Sequence, residues 1–395
     1  MTCCFLECSL VFPENNYDKD HPDEESLLGY EKDEDYRSYK CIFSLPRLYR
    51  TLRKFKNWIY NKCTSKGCRN CCRYTCLSLW ILIFLITMVL FVALPLVFKH
   101  SVVLQRNLIF HPVRGPSYLY KKIAHDDNNQ YYNGKKTFSH RYVEVNKIEN
   151  ITLGTWNISL ELSYRPYNRN PVPNMLYFHS GVGDRRSYTA AYYTLANTFN
   201  VTTFDYRSYG DSSVADLTES GLVDDSIRLY KWLLNQSNGD VYIMGDKLGA
   251  SIATHMVAKL QKENLVPTGL ILVDPFTSLS DKIKEWFWPL GRIFSWMPWY
   301  DSMVTDVLQR NDLAFETSRH IGKVDCPIMV MAKYYTNGLP DKLALIASER
   351  DPATQGTVIL RQTWWSPKDN WSTTLDLMKD FLDECNDFKK SKGKI

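Results

Sequence analysis

The apolar positions of this chain follow two periods. From Arg141 to Val145 and from Ile151 to Leu162 they alternate with polar ones, as in an antiparallel hairpin with one solvated face. Beyond residue 170 short continuous apolar runs take over, at Met175 to His179, Val201 to Tyr206, Val241 to Gly245, Gly269 to Asp274, Pro327 to Ala332 and Thr357 to Leu360. Runs of that length, apolar throughout, are strands buried on both faces. Between them lie segments at helical spacing, over Arg186 to Phe199, Ser220 to Leu234, the stretch after Leu248 to about Lys262, from Asp341, and Ser372 to Phe388. Strands alternating with helices predict an α/β domain over 141–388, with a mostly parallel central sheet and helices on both faces. No internal repeat is visible.

A longer apolar run precedes the domain. Residues 76–98 contain no charged side chain, enough helix to cross a bilayer with some tilt. They lie too far from the start of the chain for a cleaved signal peptide. Lys62, Lys66, Arg69 and Arg73 precede the run closely, against Lys99 and Arg106 after it. The positive-inside rule then predicts a single-pass membrane protein with its N-terminus cytosolic and residues 99–395 lumenal, type II. Residues 99–140 read as a membrane-proximal linker, and 389–395 as a basic tail.

Charge and cysteine usage refine the cytosolic part. Residues 14–35 hold ten Asp or Glu and few apolar residues, whereas Arg37 to Arg73 holds only basic charge, so residues 1–75 read as a largely disordered tail, acidic then basic. Nine of the 11 cysteines lie before residue 77, and Cys71, Cys72 and Cys76 abut the apolar run, which suits juxtamembrane S-acylation as well as plain reduced thiols. On the lumenal side Cys326 and Cys385 could pair as a disulfide. The sequons at Asn150, Asn157, Asn235 and Asn370 all follow the span, as glycosylation of a lumenal domain requires; a further one at Asn200 sits too close to a strand for use.

The candidate chemistry centres on Gly245-Asp246-Lys247-Leu248-Gly249, a strand running through a glycine-bounded turn into a helix. This is the form of a nucleophile elbow, Gly-x-Ser-x-Gly, with Lys247 where the serine would stand. A lysine offers no hydroxyl, and its ammonium attacks nothing until it loses a proton. Ser251, one helical turn on, reads as a small core residue. The stretch 279–318 resembles a lid, and its Trp286, Trp288, Trp296 and Trp299 suit a lipid-facing surface or a packed cap core equally. No metal-ligand spacing, Walker loop or dinucleotide fingerprint occurs, so no metal, cofactor or nucleic-acid partner is expected.

Several segments in a fixed order carry a resemblance. They are Ala93 to His100, Leu153-Gly154-Thr155-Trp156, Phe204-Asp205-Tyr206-Arg207, Gly210-Asp211-Ser212, Asp274 to Ser278 and Asp325-Cys326-Pro327. Over about residues 85 to 388 the chain resembles the membrane-anchored α/β-hydrolase-domain serine lipases of the endoplasmic reticulum, the group that includes the lysophosphatidylserine lipase with monoacylglycerol lipase activity. The resemblance implies an α/β-hydrolase fold and an oxyanion loop at His179-Ser180-Gly181-Val182-Gly183, with Leu248 as the second backbone donor. It also implies an acid after the strand Pro327 to Ala332 and a histidine after Thr357 to Leu360. The first position, near Tyr334 and Tyr335, holds no carboxylate, and His320 is the last histidine of the chain. Serine, acid and histidine are thus all missing. The expectation is a pseudoenzyme of the secretory pathway that binds a lipid or lysophospholipid, or a protein partner; the alternative is an active lipid ester hydrolase using other residues.

Endoglycosidase treatment of the full-length protein is expected to lower its apparent mass. Combined Asn→Gln substitution at 150, 157, 235 and 370 should abolish that shift, and an unshifted wild-type band would contradict lumenal placement.

Overall fold

The computed structural model describes residue 54 and the segments 69–130, 136–161, 171–237, 240–286, 290–332, 338–362 and 371–393. The chain divides into two compact units, Met1–Trp80 and Ile81–Ile395. The tail 1–75, apart from residue 54 and the helix from Arg69, lies outside the described residues.

Eight strands form one sheet: β1 (Lys136–Asn146), β2 (Ile151–Leu160), β3 (Asn174–Phe178), β4 (Asn200–Phe204), β5 (Val241–Asp246), β6 (Gly269–Val273), β7 (Ile328–Ala332) and β8 (Val358–Gln362). Their spatial order is β1-β2-β4-β3-β5-β6-β7-β8. β1 pairs antiparallel with β2, and β2 with β4. Every other neighbour is parallel. This is the α/β-hydrolase arrangement that the resemblance implies. The inner strands β5, β6 and β7 are buried along their whole length, which explains why they read as unbroken apolar runs.

Each face of the sheet has its own core. One gathers Leu176, Phe178, Ile243, Leu270 and Leu272 with the helices Glu219–Gln236 and Leu248–Leu260. The other gathers Met175, Tyr177, Tyr242, Met244 and Ile271 with the helix Thr189–Leu195 and the final helix Trp371–Lys392. Successive residues of β3 and β5 alternate between the two, as a period of two demands.

The helix Leu77–His100 is the stretch long and apolar enough to cross a membrane, with mean hydropathy 3.0. Its register shifts to a π turn over Val89–Ala93, where the Leu94 N–H reaches back to the Val89 carbonyl. Pro95, which has no N–H to give Phe91, stands at the start of the next helical piece, Leu94–His100.

Of residues 99–140, expected as a linker, the described part, 99–130 and 136–140, forms regular elements. Ser101 caps a helix Val102–Ile109 by accepting from the Leu104 N–H, and a second helix runs over Ser117–Gln130. Ile109, Phe110 and Tyr120 are buried in the cores. The polar surface of this stretch hid those few apolar anchors. Gln105 is fully buried; its amide donates to the Phe98 carbonyl at 2.6 Å and accepts from Asn311 at 2.7 Å. One side chain therefore ties the end of the apolar helix to the far side of the domain. Gln105→Leu removes both bonds from half-buried partners; a loss of about 1–3 kcal/mol is expected in chemical denaturation of the detergent-solubilised protein.

Candidate functional site

The elbow exists as geometry. Lys247 sits at φ 51° and ψ −107° between β5 and the helix Leu248–Leu260. That is outside the left-handed well that non-glycine residues tolerate, a conformation that costs on the order of 1–3 kcal/mol. The two glycines are required by space. A Cβ on Gly245 would lie 2.5 Å from the Gly249 carbonyl oxygen, and one on Gly249 would lie 2.4 Å from that of Phe178. The strand–helix crossing thus packs backbone on backbone, the purpose glycine serves in a working elbow. Lys247 is half-buried, with its N–H bonded to the Val273 carbonyl at 2.9 Å. Asp246 and Leu248 are buried on either side of it.

The loop 179–183 packs against the same turn. A Cβ on Gly181 would meet Leu248 Cδ2 at 2.6 Å, and Gly181 itself stands at φ 83°. Three tyrosines hold the loop from behind: Tyr206 donates to the His179 carbonyl at 2.8 Å, Tyr209 to that of Gly181 at 2.7 Å, and Tyr188 to that of Val182 at 2.8 Å. Ser180 Oγ is 2.5 Å from the Tyr188 hydroxyl. Val182 and Gly183 also pair with His111 and Pro112. The His179 ring is fully buried, and burial drives its pKa down to about 3, so it is neutral. Its Nδ1 accepts the Gly181 N–H at 3.3 Å; the proton therefore sits on Nε2, 3.9 Å from Asp205. This histidine shapes the loop and has no proton-transfer partner near Lys247.

A residue that sequence reasoning missed supports the loop. Arg185 is fully buried. Its guanidinium contacts Asp205, donates to Asp211 at 2.7 Å and lies 3.2 Å from His140 Nδ1. It stacks on Tyr120 and Trp156, 4.3 and 4.8 Å from their ring centres. Its backbone N–H donates to Asp205 at 2.6 Å. The segments Leu153 to Trp156, Phe204 to Arg207 and Gly210 to Ser212 converge on this one cation. A Cβ on Gly154 would strike Asp211 and Arg185, and one on Gly210 would strike Asp205. The signal available was the pair of acids, Asp205 and Asp211, in buried segments with no basic partner assigned.

The remaining expected residues are placed as follows. Ser251 is buried, bonded to the Phe315 carbonyl at 3.2 Å and to Thr317 at 2.8 Å, a packing residue one layer below the elbow. Tyr334, Tyr335 and the loop 363–370, with Asn370, lie outside the described residues. Asn150 and Asn157 are exposed, and Asn235 is exposed near the end of its helix. Cys71, Cys72 and Cys76 fall on the helix Arg69–Met88. Cys326 and Cys385, expected as a pair, are free thiols. They belong to the cores on opposite faces of the sheet, though both line a cavity of about 330 Å³ at the end of the strands away from the elbow. Burial pushes the Cys326 thiol up to about 12.

Three further ligand-type groups meet without any spacing in sequence to announce them. Glu219, His255 and His320 bring one ligand atom each within 4.8 Å of the others. Glu219 already accepts from His255 at 2.7 Å and from the Phe315 N–H at 2.6 Å, while the two imidazoles stack at 3.8 Å. Burial, with His255 beside it, lowers His320 to about 4. The group reads as a stacked imidazole pair fixed by one carboxylate.

A family model described as an alpha/beta hydrolase fold matches residues 175–352. The lysophosphatidylserine lipase ABHD12 of Danio rerio is 26% identical over 250 residues, which cover 61% of this chain and 65% of that protein. The chain thus spans just under two-thirds of that relative's length. The lysophosphatidylserine lipase ABHD12 of Xenopus tropicalis is 27% identical over 287 residues, covering 68% and 71%. Among solved structures, an esterase of Pyrococcus furiosus superposes with a TM-score of 0.47 at 14% identity, covering 70% of this chain and 96% of that one.

Lys247→Gly is expected to raise stability by about 1 kcal/mol, strain relief of about 1–3 kcal/mol being partly offset by the entropy of a glycine. Lys247→Ala keeps the strain and should give no such gain. Equal melting temperatures for the two variants would contradict a strained elbow.

Proposed function

We propose that the chain is a catalytically silent relative of the α/β-hydrolase lipases it resembles, one that keeps a lipid-binding pocket on a membrane-anchored domain. The observation that carries the reading is Lys247 in the elbow, held at φ 51° where a nucleophile would stand. The fold preserves the strained turn but presents an ammonium with no histidine to take its proton. Two sequence facts support it. The turn from Lys333 to Gly338 contains no carboxylate, and no histidine follows His320.

The relatives are named as lysophosphatidylserine lipases, so the ligand of this chain is a single-chain lipid, with the Lys247 ammonium near its polar head. Binding without turnover suits a carrier or a regulator of an active relative. In this reading the helix Leu77–His100 anchors the domain, and the charge bias of its flanks supports a lumenal domain in the endoplasmic reticulum or a later secretory compartment, with Asn150, Asn157 and Asn235 carrying glycans.

A fluorophosphonate probe should leave the purified full-length protein unlabelled. Lys247→Ser should not gain hydrolysis of a lysophospholipid or monoacylglycerol, because a serine without acid and histidine keeps only the roughly 10³–10⁴-fold acceleration that binding and an oxyanion hole supply. Labelling of the wild type that a single hydroxyl substitution abolishes would overturn the proposal in favour of an active esterase.

A further inference from the structure

The lid stretch carries an apolar face that its own domain leaves uncovered. Between Glu285 and Asp301 the sequence has one charged residue, Arg292, amid four tryptophans. The short helix Leu290–Trp296 and its flanks divide these residues in two. Phe294, Trp299 and Met303 pack against the main core, with Phe294 and Trp299 rings 6.0 Å apart. Trp286, Ile293 and Trp296 point outward, Trp296 with 84% of its surface exposed. A packed cap would bury its largest aromatic; this one displays it.

What lies beside that face identifies its occupant. The Phe294 ring meets the Phe91 ring edge to face, centroids 5.1 Å apart, and Phe91 belongs to the apolar helix Leu77–His100. Nine residues at a helical rise of about 1.5 Å place Phe91 about 13 Å below His100 along that helix. A side chain in ring contact with it shares its depth. Leu94 and Val97 on the same helix are themselves exposed, so the helix offers apolar surface near that contact.

We propose that the helix Leu290–Trp296, with Trp286 beside it, is a second membrane-contacting element, a monotopic insertion docked on the lumenal half of the span, with Trp296 and Ile293 in the acyl region of the bilayer. The occupant of the exposed face is lipid. Arg292 is the one charged residue between Glu285 and Asp301, and arginine is the residue type whose long stem lets a charge snorkel to the headgroup level. The ion pairs Lys282–Glu285 and Lys284–Asp281 mark the return to water on the N-terminal side, and Asp301 marks it on the other. The inference rests on the reading of Leu77–His100 as a membrane span.

The test uses the full-length protein in its own membranes, with the photo-crosslinking residue p-benzoylphenylalanine placed singly at Trp296, at Leu85 in mid-span, or at Ile148 on the β1–β2 turn. Residues 85 and 148 are exposed at 54% and 97%, so none of the three substitutions disturbs a core. Irradiation is expected to give a mass shift of one membrane lipid at 85 and at 296, and none at 148. A lipid shift at 85 without one at 296, or a protein adduct at 296 from a second copy or another partner, overturns the inference and leaves the span intact. No lipid shift at 85 overturns the span itself, and the inference with it.

Discussion

The Arg185 guanidinium is the constraint on which the site's shape depends. A cation buried without compensation costs several kcal/mol, so its position obliges two carboxylates, Asp205 and Asp211, to be delivered from separate turns. Burial pushes the Asp205 carboxyl up, and the Arg185 side chain and N–H oppose that push. Removing either partner leaves the other charged and dry, which is far worse than removing both. Satisfying that cluster also fixes the loop 179–183, because Arg185 follows it within two residues and Asp205 opens the turn that carries Tyr206 and Tyr209. The shape of the loop 179–183 is thereby held by electrostatics that do not involve Lys247.

This separation of scaffold from chemistry accounts for Lys247. The backbone strain at the elbow is set by the close approach of Gly245 to Ala250 and of Gly249 to Phe178, whatever the side chain between them. A turn so constrained does not depend on the side chain it carries. Its presence is evidence of packing, and the chemistry has to be read from the side chains alone.

The sequence revealed the sheet well because β3 to β7 are short runs of one character, and the elbow helix and the helix Glu219–Gln236 show clear helical spacing. Helix ends and the segment 99–140 were harder. There, burial rests on isolated residues such as Gln105, Phe110 and Tyr120, spaced too far apart to make a period. Arg186 to Phe199 read as one helix but is a 3₁₀ turn over Arg185–Tyr188, capped by Asp184, followed by the helix Thr189–Leu195. The tight turn at Lys247 was legible from its glycine neighbours. The Arg185 cluster was not, since its members lie up to 71 positions apart, His140 to Asp211, and only the fold brings them together. For the same reason Cys326 and Cys385 invited pairing: one-dimensional reading cannot tell that their side chains pack on different faces of the sheet.

The Gln105 bridge gives the anchor a mechanical character. A glycine-rich connection would let a domain tumble freely above the bilayer. Here the apolar helix runs through a capped serine into the domain, and a buried amide clamps the joint. Where that helix spans a bilayer, it acts as a lever arm: when a thicker or thinner membrane changes its tilt, the α/β body pitches with it, and the orientation of the Lys247 turn to the lipid surface becomes a function of membrane thickness.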